Sequence, residues 1–197
     1  MLVSVSAPGA AGSLRVYVWR KLRSLGALYL QSSVCLLPAR PAVVREVHRL
    51  VDRVHRDGGT TRVMHLVIPD PDQEQGLREE LNTARDGEYA EVLERTPAFL
   101  AELGNERAKG RVSYAEVEES EADLDRFRAW LAKIEARDYF GASSGDQARA
   151  AVDACQRELT AFEAEAVAAE APPTRAGHLR GLPGRPPAAA ADEAGSS

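Results

Sequence analysis

From Met1 to Ser6 apolar and polar residues take turns, a period-two pattern that predicts a β-strand. Ala7-Pro8-Gly9-Ala10-Ala11-Gly12 interrupts it, and Ser13 is placed to cap a following helix. Leu14, Val18, Leu22 and Leu25 recur at helical spacing, with Gly26 as a fitting stop. Ala27 to Leu37 is strand-like but broken by Gln31-Ser32-Ser33, which predicts two short strands joined by a tight turn or bulge. Pro41 suits a first helical turn, and Val43, Val47, Leu50, Val51 and Val54 build a second amphipathic face that ends at Gly58-Gly59. Arg62 to Ile68 reads as a closing strand stopped by Pro69. The expected order is β-α-β-β-α-β, a ferredoxin-like arrangement with both helices on one sheet face.

Beyond Pro71 the period is helical throughout. Leu77 and Leu81 open one helix; Tyr89, Val92, Leu93, Thr96, Phe99, Leu100 and Leu103 mark another, kinked at Pro97, and Gly104 to Gly110 reads as a polar connection. Leu124, Phe127, Leu131 and Ile134 define a third helix, Gly141 to Gly145 a turn, and Val152, Cys155, Leu159, Phe162 and Ala166 a fourth. Residues 171–197, dominated by Pro, Ala, Gly and Ser, are expected to be disordered. The expected class is therefore α+β, with a ferredoxin-like βαββαβ domain over 1–69, an acidic helical domain over 70–170 and a disordered tail.

Charge adds a second boundary at the same place. Residues 1–69 carry ten Lys and Arg against three Asp and Glu, a net of +7, whereas 70–171 carry twelve against twenty-five, a net of −13. The overall −5 hides this polarity, which suggests a polyanion or oxyanion partner for the first part. Two distant cysteines, Cys35 and Cys155, point to a reducing, cytoplasmic setting with inert buried thiols. No apolar run approaches the ~18 residues of a membrane span, and the N-terminus lacks the basic leading region of a signal peptide, so no membrane partner is expected.

The candidate binding residues lie on the first two helices. Arg15, Trp19 and Arg23 are spaced i, i+4 and i+8, with Arg20 and Lys21 beside them, and Arg45 and Arg49 share an outward face of the second helix with Arg53 and Arg56. Guanidinium forks interleaved with an aromatic ring suit phosphates or any tetrahedral oxyanion. The bland alternative is that these arginines only solvate amphipathic helices. His48, Asp52 and His55 could meet at i, i+4 and i+7, but the spacing is ordinary for a polar face, and no further Cys or His ligand accompanies them. His65 reads as a sheet histidine, and His178 falls in the tail. The acidic run from Glu116 to Asp125 fits the start of a solvated helix better than any metal loop. No GxSxG, P-loop or GxGxxG occurs, so no catalytic residue, metal or cofactor is expected, and no enzyme.

Several stretches resemble a known family. Ser13 to Ala27 is similar to the opening helix of the chromate-resistance regulator ChrB, and Gln31–Pro38, Asn82–Glu91 and Trp130–Gly141 are similar to further parts of its N-terminal domain. The resemblance spans roughly residues 1–170. The first half also resembles the ferredoxin-like domain of phenylacetate-type repressors and of a CRISPR-associated nuclease, through the Gln-x-Ser-Val pattern of Gln31 to Val34. The nuclease uses an aspartate at the end of its first strand, where this chain has Ser4-Val5-Ser6-Ala7. The ChrB resemblance implies a chromate-responsive transcription regulator that controls a chromate efflux system, with DNA as partner and chromate as effector. A homodimer is expected separately, because the sheet would leave an edge strand and an open face and the last helix has near-heptad spacing. Arg15, Trp19, Arg20, Arg23, Arg45 and Arg49 are the expected contacts. Two other readings stand beside it: a protein-interaction or dimerisation module that binds no DNA, and an oxyanion-binding or reducing enzyme.

Overall fold

The computed structural model describes residues 1–6 and 12–170, so the expected break at 7–11 and the expected disordered tail at 171–197 lie outside the described residues. Four strands, β1 (Leu2–Ser6), β2 (Leu28–Gln31), β3 (Val34–Leu36) and β4 (Thr60–Met64), form one antiparallel sheet in the order β2-β3-β1-β4. Helices α1 (Gly12–Ser24) and α2 (Pro41–Arg56) pack together on one face of it. Register explains the choice of face. Val3 stands opposite Cys35 on one side and Val63 on the other, and these three meet Leu14, Val18, Leu22, Val47 and Leu50 in a common core. The other face carries a cross-strand row in which Leu28 is opposite Leu36, Leu36 opposite Leu2, and Leu2 opposite Met64.

Three helices follow: α3 (Pro71–Ala108), α4 (Tyr114–Glu135) and α5 (Gly145–Glu170). They enclose a second core centred on Tyr89, Val92, Leu103, Leu124, Ile134 and Phe162. Their ends obey capping rules. The Asp70 side chain accepts from the Asp72 amide at 3.0 Å with Pro71 in the first turn of α3, and Ser113 caps α4 through the Glu116 amide. No described helix is long and apolar enough to cross a membrane.

The structure overturns the expected fold class. Helix accounts for 70% of the described residues, in five helices, and the sheet is small, its strands only three to five residues long. The chain is a mainly helical protein with a small antiparallel sheet, and the ferredoxin-like α+β description is set aside. The reason lies in lengths: the Gln31-Ser32-Ser33 turn cuts the hairpin short, while the three later helices run long enough to build the larger core.

Three boundaries differ as well. The helix expected to open at Leu77 and Leu81, the one marked by Tyr89 to Leu103, and most of the connection expected over Gly104 to Gly110 are one continuous 38-residue helix, α3. Gly87 and Gly104 are tolerated there because both face solvent, and packing on α4 and α5 outweighs their poor propensity. Pro97 removes an amide that would have bonded the Leu93 carbonyl; the Thr96 hydroxyl donates to that carbonyl instead, at 3.3 Å. Strand β4 stops at Met64 rather than Ile68 because β1, on which it pairs, begins at Leu2 opposite Met64. His65 is therefore exposed just past the strand, and Val67 is 90% exposed.

Candidate nucleic-acid interface

The buried stripe Leu14, Val18 and Leu22 fixes the rotation of α1. Arg15, Trp19 and Arg23 consequently run along the flank facing the β2–β3 hairpin, Tyr17 and Lys21 run along the flank facing α2, and Arg20 points outward; all but Lys21 are exposed. Trp19 is 47% exposed, and the Arg23 guanidinium lies 5.2 Å from its ring centroid, within cation–π range.

In α2 the stripe Val43, Val47, Leu50 and Val54 is buried, which turns Arg45 and Arg49 outward, one helical turn apart. Glu46 sits between the two helices. It accepts from Lys21 at 2.6 Å and also pairs with Arg49, and the Lys21 hydrogen bond holds its carboxyl below the usual range. Arg53 pairs with Asp57 at 2.7 Å and lies over the Tyr17 ring. The structure thus gathers all six expected residues on two adjacent helices. Among the described residues Arg15, Arg20, Arg23 and Arg45 make no ion pair, while Arg49 shares Glu46.

Beside Arg15 and Trp19 the hairpin completes a cleft of about 410 Å³. Val5, Val18 and Leu22 make an apolar floor, and Trp19 and Tyr29 the aromatic walls. Ser6, Ser32, Ser33 and Arg15 edge it, and no described carboxylate lines it. Burial raises the Tyr29 hydroxyl above its ordinary range. The sequence reading missed Tyr29 and the serines as site residues because they lie on the hairpin, not on the basic helices. The signal was the Gln31-Ser32-Ser33 break in the strand pattern.

The weaker candidates disperse. His55 bonds Thr61 across 3.0 Å, and no group of three or more His, Cys, Asp or Glu among the described residues is arranged to hold a metal. The acidic run forms the exposed first half of α4, where Asp123 pairs with Arg126 and Asp125 with Arg128. Cys35 is buried and its thiol is pushed up to about 11 by that burial, too high for a nucleophile at neutral pH; burial raises Cys155 as well.

One cluster went unforeseen. Arg85, in phase with the apolar stripe of α3, is only 8% exposed and sits 3.2 Å from Glu88, which also holds Arg137 at 2.7 Å. Burial lowers the pKa of Arg85, opposed by Glu88. Its Nε and Nη1 find no hydrogen-bond partner among the described residues. Nη1 lies against Gly26, whose φ of +70° ends α1. The Tyr139 hydroxyl donates to the Leu25 carbonyl at 2.8 Å, and Arg40 covers the Tyr139 ring and reaches its carbonyl. These contacts tie the end of the basic helix to α3 and to the α4–α5 turn.

Comparison with known proteins agrees with the resemblance read from the sequence. The family model described as protein ChrB, N-terminal, matches residues 15–173, most of the chain and nearly all of its described helices. No curated protein and no solved structure matches the chain significantly. The chain belongs to the family of ChrB N-terminal domains, which relates it to the regulation of chromate resistance.

Proposed function

We propose that this chain is a cytoplasmic, DNA-associated regulator of a chromate efflux system, without enzymatic activity, whose phosphate contacts are Arg15, Arg20, Arg23, Arg45 and the free arm of Arg49. One observation carries the reading: four exposed arginines that have no acidic partner among the described residues stand on two neighbouring helices, while most of the described acids lie on α3, α4 and α5. Arginines that served only to solvate a helix would be expected to pair with acids, as most of those on the later helices do. Binding should be strongest at low salt, with the logarithm of affinity falling by about 0.9 per phosphate contact on duplex DNA per decade of salt.

The test is a gel shift of the chain with its own upstream DNA, with and without chromate, alongside the triple variant Arg15→Ala, Arg20→Ala, Arg23→Ala. The triple variant should bind all sequences more weakly and with a flatter salt slope, while its fold survives because none of the three side chains enters the core. Undiminished binding would place the contact surface elsewhere. A second reading, a dimerisation module, rests on the apolar row Leu28, Leu36, Leu2 and Met64 on the sheet face turned away from α1 and α2, where Met64 is exposed. Absence of DNA binding even at low salt would leave that reading standing alone.

A further inference from the structure

A stacked duplex offers a protein its phosphates and the edges of its base pairs, never the flat face of a base. The arginines of α1 and α2 need nothing more than that. The cleft beside them does not fit the same description. It is concave, about 410 Å³, within the size range of small-molecule sites, with an apolar floor and two aromatic walls that have no counterpart on the outside of a double helix. An unpaired base, by contrast, brings a π-face that stacks on aromatic rings whatever its identity. We infer that the cleft between α1 and the β2–β3 hairpin seats an unpaired nucleobase, making single-stranded DNA a better ligand than duplex. The inference rests on the nucleic-acid reading and narrows it to a class of DNA.

Each part of the cleft has a task in that arrangement. Trp19 is half-exposed at the mouth, and the cation–π contact with Arg23 holds the indole and leaves it as a stacking platform. Tyr29 closes the opposite wall and can donate to a base edge. The hydroxyls of Ser6, Ser32 and Ser33 both donate and accept, so they satisfy the edge of any base without selecting one. Arg15 at the rim and Arg23 on the indole supply cationic forks for the flanking phosphates, with Arg20 farther along the same helix. With no described carboxylate lining the cleft, nothing there repels the backbone.

The experiment uses the full chain and a fluorescein-labelled mixed-sequence oligonucleotide of about 20 nucleotides, single-stranded or annealed to its complement, read by anisotropy at low salt. The single strand should bind several-fold more tightly than the duplex. Trp19→Ala should reduce single-strand affinity about tenfold or more, the range that loss of one base–aromatic stack covers, and Trp19→Phe, which keeps a ring, should restore most of it. Circular dichroism of both variants should match the wild type, because Trp19 lies outside the core. Equal or tighter binding of duplex overturns the inference and leaves DNA binding intact. Single-strand preference that survives Trp19→Ala also overturns it, by moving the base elsewhere. Failure to bind either form overturns the DNA reading itself.

Discussion

Gly26 shows how much one residue carries. Its φ of +70° lies where a side chain is strained, and a Cβ there would stand 2.8 Å from Arg85 Nη1 and 3.0 Å from Arg137 Cβ. Gly26→Ala therefore combines backbone strain of about 1–2 kcal/mol with displacement of a buried guanidinium. Gly58 has a similar φ of +80° but nothing within 4 Å, so Gly58→Ala carries the strain alone. Thermal unfolding should show Gly26→Ala melting several degrees below Gly58→Ala, at roughly 2–4 °C per kcal/mol for a chain of this size. Equal melting temperatures would mean that the junction yields without loss. The stop at Gly26 was legible in the sequence, but its partners were not. Arg85 sits in phase with Leu81, Tyr89 and Val92, yet a charged residue on an apolar stripe ordinarily marks its edge. Glu88, three residues along α3, pairs with Arg85, but its burial needs the α4–α5 turn, which brings Arg137 and Tyr139 over it from about fifty residues away, and no local pattern announces that.

At the scale of elements, the apolar period marked where helices and strands lie but divided α3 into two helices and a connection. It failed on lengths, for two separate reasons. Helical propensity is local, so the stretch from Gly104 looked like a break until packing against α4 and α5 overrode it. Strand length is a property of pairs, and β4 ends where its partner β1 begins, which the β-branched run itself cannot reveal. Pairing also creates the row of Leu28, Leu36, Leu2 and Met64, which no single strand displays. Met64 is 45% exposed there, and β4 has a free edge. A second copy of the chain could cover both by two-fold packing. Sedimentation at micromolar concentration should show a dimer, and Met64→Lys, which adds a like charge near the axis, should shift it to monomer. A wild-type monomer at high micromolar concentration would rule the pairing out.

The whole molecule joins two cores across a polar seam, and both cores hold a buried group that must stay protonated. Cys35 belongs to the first, raised by burial to about 11 from 9.0; Tyr89 belongs to the second, raised to about 12 from 10.0 by burial and then by its bond to Asp138. The folded state holds both protons more tightly than the unfolded chain does. Their stabilisation is complete below pH 9 and is lost as pH rises from 9 towards 12, each by less than the roughly 1.4 kcal/mol per pH unit of one fully linked proton. Urea midpoints should be level from pH 7 to 8.5 and fall from pH 9 upward, with Tyr89→Phe removing the upper part of the fall. A midpoint unchanged to pH 11 would contradict the assignment.

The continuous run of α3 has a mechanical consequence. At about 1.5 Å per residue its 38 residues span about 57 Å, and Arg85, pressed against the end of the basic helix, stands about 35 Å from Ala108. That length sets how far the two ends of the helix can differ in displacement. A tilt of about 5° at Arg85 would carry the far end some 3 Å, a displacement generated by simple geometry from that length. If α3 moved with the bundle as one rigid body, a shift at Gly26 would be largest at the far end of the helix, where a distance label near Ala108 would register it.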